Sequence, residues 1–179
     1  SEEDPVSLYN NRELLLVMLI VFEMVLNGVA MTYSLDADVS FTSRRSYRHF
    51  VDKYSAASAM VQSLDTQKYG ADSFYRVEKT SHRKKNDNFA IDVNGLSNST
   101  STLNAKTISF LHNIGLSARS HWSMYYGGTP VSDAIFDVRY LIVDRMTNDY
   151  VPAYVNTLYS HIADSSLPGS ENDALEIYE

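Results

Sequence analysis

The run 14 LLLVMLIVFEMVLNGVAM 31 limits what this chain can fold into more than any other stretch, because only Glu23, Asn27 and Gly28 interrupt its apolar residues. Extended through Thr32 to Leu35, a helix here is about 33 Å long, enough to cross a hydrocarbon layer of about 30 Å. Its fifteen apolar residues, at about −0.4 kcal/mol each, outweigh one central Glu at about +3 kcal/mol, so insertion comes out modestly favourable. The run is apolar on every side, which suits a membrane span or a wholly buried helix and not a surface helix. Glu23 keeps the second alternative, a core helix of a soluble domain, open. The leader SEEDP is acidic and no small-residue cleavage site follows the run, so the segment does not have the form of a signal peptide. The expected division is a polar leader over 1–13, a membrane-spanning helix over 14–35 and a folded domain over 36–179. Arg44, Arg45, Arg48 and Lys53 follow the run, against Arg12 before it. A literal positive-inside count puts the downstream side in the cytoplasm, but that rule weakens when earlier helices set the topology or a long domain follows.

Charge and composition then exclude several classes. Hydrophobic residues make up 44% and charged residues 21% of the chain, the balance of a folded protein rather than a disordered one. The net charge of −7 argues against a nucleic-acid surface, which leans on clustered Lys and Arg. The one basic run, His82-Arg83-Lys84-Lys85, is followed by Asn-Asp-Asn and reads as a solvated hairpin tip. With no cysteine there is no disulfide, no thiolate nucleophile and no Cys-based zinc site. His112 and His121 lack a carboxylate at ligand spacing, so no metal and no cofactor is expected.

Beyond residue 36 the periodicities alternate. In 43 SRRSYRHFVDKYSAASAMVQSL 64, Tyr47, Phe50, Val51, Tyr54, Met60, Val61 and Leu64 recur at helical spacing, with Ser43 able to cap the start. The stretch 73 SFYRVEK 79 reads as a strand with Phe74 and Val77 inward, and 89 FAIDV 93 as its hairpin partner. Asn94-Gly95 is turn chemistry, and 96–104 is a Ser/Thr/Asn-rich loop. Asn104 can cap a helix over 105–115, which Gly115 stops. A short helical turn is expected near 131–136 and a buried strand over 138–143. The Tyr-studded 144–162 is irregular, a polar loop covers 164–173, and a last strand covers 175–179, reading as a boundary within a longer protein. The resulting class is α+β, helices packed on a mixed or antiparallel sheet, preceded by one long hydrophobic helix.

One stretch combines features of a turn and of a binding surface: 121 HWSMYYGGTPVSDAIFDVRYLIV 143. Gly127-Gly128 and Pro130 serve a turn, and Thr129 must avoid the helical region because a proline follows. The rings of Trp122, Tyr125 and Tyr126 crowd the polar side, and such amphipathic rings either stack on sugars or pack under loops. Trp122, Tyr125, Tyr126, Thr129 and Asp133 are therefore the candidate glycan or partner contacts. No Ser sits in a nucleophile elbow. Asp133 and Asp137 are four apart on a turn, where surface charge is the default reading.

Several phrases in order resemble the extracytoplasmic region of the YfhO family of bacterial polytopic membrane proteins: 22 FEMVLNG 28, 74 FYRVEKT 80, 86 ND 87, 95 GLSNSTST 102, 110 FLHNIG 115, 125 YYGGTPVSDAIFDVRYLIV 143 and 177 IYE 179. The resemblance implies a lipid-linked-sugar glycosyltransferase, moving a sugar from undecaprenyl phosphate onto cell-envelope polymers such as lipoteichoic acid outside the membrane. It implies the bilayer, a glycopolymer and the rest of the parent protein as partners. The catalytic carboxylate of such enzymes is expected on an early external loop, which this chain does not contain, so no catalytic residue is assigned. Two alternatives remain: a membrane-anchored extracellular sensor or ligand-binding domain, and a soluble protein that buries its first helix.

Overall fold

The structure, a computed structural model, describes residues 5–38, 42–147 and 151–179. It divides into two units, 1–44 and 45–179, each taken by itself below. The first carries one helix, α1 (Pro5–Asp38). Residues 5–13, expected to be leader, are helical and continuous with the apolar run, and residues 1–4 of that leader lie outside the described residues. From Asn11 to Leu35 the helix has a mean hydropathy of 2.4 and none of it is buried. Thr32 and Ser34 return their hydroxyls to the carbonyls of Gly28 and Met31, which is how an apolar helix satisfies such groups without water.

The second unit runs α2 (Arg44–Tyr69), β1 (Arg76–Lys79), α3 (Asp87–Ala90), β2 (Asn98–Ser99), α4 (Ala105–Asn113), β3 (Ser117–Arg119), β4 (Trp122–Met124), α5 (Pro130–Phe136), β5 (Val138–Asp144), α6 (Val155–Leu158), β6 (His161–Ser165), a 3-10 turn (Glu171–Asp173) and β7 (Leu175–Tyr178). The main sheet has the order β1-β5-β7-β6. Its β1–β5 pair is parallel and its β5–β7 and β6–β7 pairs antiparallel, so the sheet is mixed. A small antiparallel sheet, β2-β4-β3, sits beside it.

Helix α2 lays Tyr54, Ala57 and Val61 against Val77, Tyr140, Ile142, Leu175 and Ile177 to form one core cluster. Leu111, Leu116, Tyr125, Leu141, Val143, Val155 and Tyr178 form the other. The residues of β5 alternate between the two, Tyr140 and Ile142 on one side and Leu141 and Val143 on the other, as a strand covered on both faces must. Burying each such side chain contributes about 1.5–3 kcal/mol.

Three expectations fail locally. Residues 89–93 do not pair with β1, whose neighbour is β5. Asn86 to Ala90 turn helically instead, because Asp87 accepts the amides of Arg83 (2.7 Å) and Lys84 (3.0 Å) while Asn88 turns inward to a buried carboxylate. Phe89 and Phe74 are consequently exposed and Ile91 is buried. The basic run is not a solvated tip: Lys84 is exposed, but Lys85 lies 4.3 Å from the Trp122 ring centroid and Arg83 lies over Tyr47 and Phe50. Finally, 161–165 is an edge strand where loop was expected, and β3 and β4 occupy a stretch that composition marks only as aromatic. Part of the segment expected to be irregular, 148–150, lies outside the described residues.

Candidate functional site

The five candidate residues lie along β4 and the turn into α5. Strand alternation sends Tyr125 inward and leaves Tyr126 37% exposed. Tyr125 donates its hydroxyl to Asp133 Oδ1 at 2.7 Å; Tyr159 donates to Oδ2 at 2.8 Å, and Tyr154 lies 3.0 Å from the Tyr125 hydroxyl. Asp133 is therefore a buried carboxylate on three phenols rather than a surface charge. Its burial raises its pKa, against the tyrosine hydrogen bonds that stabilise the anion. The same burial raises the pKa of Tyr125 and of Tyr159, which holds both phenols in their protonated, donating form.

Thr129 is the N-cap of α5. Its backbone is extended and its side chain accepts from the Ser132 amide, which completes a capping box with the Ser132 hydroxyl, and Pro130 opens the helix. Gly127 has φ +80 and faces the Gly115 carbonyl so closely that a Cβ would stand 2.3 Å from it. The turn is thus closed by backbone approach between two glycines.

Trp122 and Tyr126 face the other way. With Ile108, His112, Arg119 and Gly127 they line an open groove of about 940 Å³. Lys85 stands over Trp122, and His82 meets Tyr126 edge-on at 5.1 Å. Asn86 fixes this basic segment to the small sheet, donating to the Ser99 carbonyl at 3.0 Å and accepting from its amide at 2.6 Å. The arrangement is two aromatic rings held in place beside cations and imidazoles, on a concave surface. The five candidates therefore separate into two groove residues, two interior residues and one cap. Among the described residues no group of three or more His, Cys, Asp or Glu is placed to hold a metal ion.

A family model described as the bacterial membrane protein YfhO matches residues 8–179. The chain belongs to the YfhO family of bacterial membrane proteins. No curated protein and no solved structure matches it.

Within this YfhO chain the phrases that carry the resemblance converge on one buried carboxylate. Glu78, on β1, accepts from the Leu96 amide, the Ser97 amide at 2.8 Å, the Ser97 hydroxyl at 3.1 Å and Asn88 Nδ2 at 3.2 Å. Ser97 Oγ in turn accepts the amide of Tyr125 at 2.9 Å, which links the network to the groove. On the opposite face of β1, Lys79 donates to Asn88 Oδ1 at 2.9 Å and lies 4.0 Å from Asp87. Both charged side chains are fully buried. Burial raises the Glu78 pKa and lowers that of Lys79, each favouring its neutral form, while the charge of the other opposes the shift. Strand alternation alone would have put one of the pair in water. The sequence signal that marks this site is the Asn88 and Gly95-Leu96-Ser97 set that supplies its partners.

Proposed function

We propose that this chain is a membrane helix followed by the extracytoplasmic, non-catalytic domain of a YfhO-type glycosyltransferase, which decorates cell-envelope polymers such as lipoteichoic acid from an undecaprenyl-phosphate-linked sugar. The observation that carries the reading is the family match over nearly the whole chain, joined to a helix of spanning length directly ahead of an α+β unit. On this reading residues 14–35 span the bilayer, residues 36–179 lie outside, and the catalytic carboxylate belongs to another part of the parent protein. The Trp122–Tyr126 groove is the surface that meets the glycopolymer: rings of this kind stack on the C–H faces of sugars, and an open groove of about 940 Å³ has room for more than one ring. Tyr125, Thr129 and Asp133 then contribute by holding the groove wall.

The absence of cysteine from these 179 residues makes the orientation testable in a parent protein whose other cysteines are replaced by serine. A single cysteine at exposed Ser101 in the parent protein should react with a membrane-impermeant maleimide on intact cells. Labelling only after permeabilisation would overturn the extracytoplasmic reading. Loss of polymer decoration in Trp122→Ala and Tyr126→Ala at unchanged thermal stability is the outcome expected of a contact surface.

A further inference from the structure

We infer that the crevice at the carboxyl ends of β1 and β5 is a second binding site, shaped for one neutral, hydroxyl-rich ring such as a single sugar residue. The β1–β5 pair is parallel, and crevices outside the carboxyl ends of parallel strands are where such sheets hold ligands. Here the chain leaves β1 through Ser81 and His82 and leaves β5 at Asp144, and α2 crosses above them with His49, Phe50 and Lys53. Together they enclose about 380 Å³, at the lower end of the range for small-molecule sites, about 300–1,000 Å³. It shares no lining residue with the Trp122–Tyr126 groove.

The chemistry of the walls decides the ligand class. Lys53 is 6% exposed and donates to Asp144 Oδ2 at 2.8 Å and to Asp173 Oδ1, leaving its third N–H without a described partner. Asp173 is 32% exposed, and His49 Nε2 lies 3.8 Å from its Oδ2, beyond hydrogen-bond reach. A donor and an acceptor thus stand side by side within the crevice, the complement of a pair of neighbouring hydroxyls. Phe50 and Tyr54, with ring centroids 4.7 Å apart, supply an apolar wall for a C–H face. The Lys53 ammonium is already matched by two carboxylates, and Arg83 is engaged by the Ser46 carbonyl and two ring faces, so among the described lining residues no lysine or arginine is left over for a phosphate. The wall also carries an unmet requirement. Both ring nitrogens of His82 are shut from solvent, and neither meets a hydrogen-bond partner among the described residues. A buried ion pair by itself adds little stability over an apolar pair. An ion pair with spare valences at the floor of a cavity has a use beyond tying α2 to β5.

The test is saturation-transfer NMR on the full chain in nanodiscs, with methyl glycosides of common hexoses and N-acetylhexosamines as probes, and glycerol, glycine and inorganic phosphate as comparators. At least one glycoside should bind saturably with a Kd on the order of 1 mM. Asp173→Asn should weaken it about tenfold or more, and Ser46→Tyr, which fills the mouth from an exposed helix position, should abolish it. Trp122→Ala should leave it unchanged, which separates this pocket from the groove and its failure from that of the glycopolymer reading. Absence of binding by every glycoside overturns the inference. So does binding that survives Ser46→Tyr, binding that is lost with Trp122→Ala, or preferential binding of phosphate or glycine.

Discussion

Gly95 tests how tightly the Glu78 network is built. A Cβ at this position would stand 2.1 Å from Asn88 Nδ2 and 2.6 Å from Glu78 Oε1. Neither atom can retreat into water, since Glu78 and Asn88 are both buried and both hydrogen-bonded. Gly95→Ala must therefore displace the Asn88 amide. That breaks its bonds to Glu78 and the Ser97 carbonyl and strips Lys79 of its one close acceptor, leaving Asp87 at 4.0 Å. A hydrogen bond to a charged group is worth about 1.5–3 kcal/mol, and a buried group left unpaired costs about 1–3 kcal/mol. The Asn88 amide bonds two charged groups, so displacing it strains both, and with part of each recovered by relaxation the predicted destabilisation is about 2–4 kcal/mol. The assay is urea unfolding of the chain in detergent followed by Trp122 fluorescence. Gly28→Ala serves as the control, because nothing stands within 4 Å of its Cβ. Asn88→Ala removes the obstruction, so the double variant should lose clearly less than the two single losses added. A Gly95→Ala chain within about 0.5 kcal/mol of the parent, or strict additivity with Asn88→Ala, would refute the reasoning.

His82 is held at a pKa of about 3 by burial and by the Lys79 charge. Because that folded value lies below the free value of about 6.5, His82 favours folding above pH about 6.5 and withdraws that support as pH falls toward about 3; His82→Phe should flatten this slope in thermal melts. Asp133 runs the other way: its raised pKa gives support that is complete below the free carboxyl value and is lost as pH rises through the folded one. Asp133→Asn should remove that loss, so a melting profile whose acid limb is unchanged counts against the buried phenol cluster. Lys53→Met leaves Asp144 buried without its cation and should cost about 3–5 kcal/mol, read as a fall in Tm, while Lys53→Met with Asp144→Leu should recover most of it. Leu19→Lys places a charge at the middle of α1 at about 3 kcal/mol and should reduce membrane retention in a fractionation assay. The near-UV signal of residues 45–179 should remain, and its disappearance would mean that α1 is needed for that unit to fold.

Much of this architecture can be read locally. The apolar period and length of 14–35, the Asn104 cap, the Gly115 stop and the continuous apolar run of β5 are each decided by residues within a turn or two, and the structure has all four. What escaped local reading depends on distant partners. Residues 89–93 have the composition of a strand, but Asn88 just before them finds acceptors and a donor that exist only once β1 and the 96–97 segment are in place. The aromatic stretch at 122–126 has too few residues for a periodic signal, so its pairing with β2 and β3 is invisible without them. Of the candidate residues, the proximity of Trp122 and Tyr126 is legible from spacing. The inward turn of Asp133 is not, because Tyr154 and Tyr159 come from a later loop. The Lys53–Asp144–Asp173 cluster is hidden for the same reason, its members being spread along nearly the whole domain.

The order of strands in the main sheet sets a timetable for folding. Val77 on β1 pairs with Tyr140 on β5, about sixty residues later, and the strand that seals β5 to the edge strand β6 is β7, the last of the described strands in chain order. As the chain emerges from its N-terminal end, β6 waits beside a missing neighbour with its amides unpaired, and the outer half of the sheet can assemble only when Leu175 to Tyr178 arrive. A chain halted before those residues should present an open sheet edge, where chaperones or proteases engage unpaired strands. The intact unit should instead close late and in a single step.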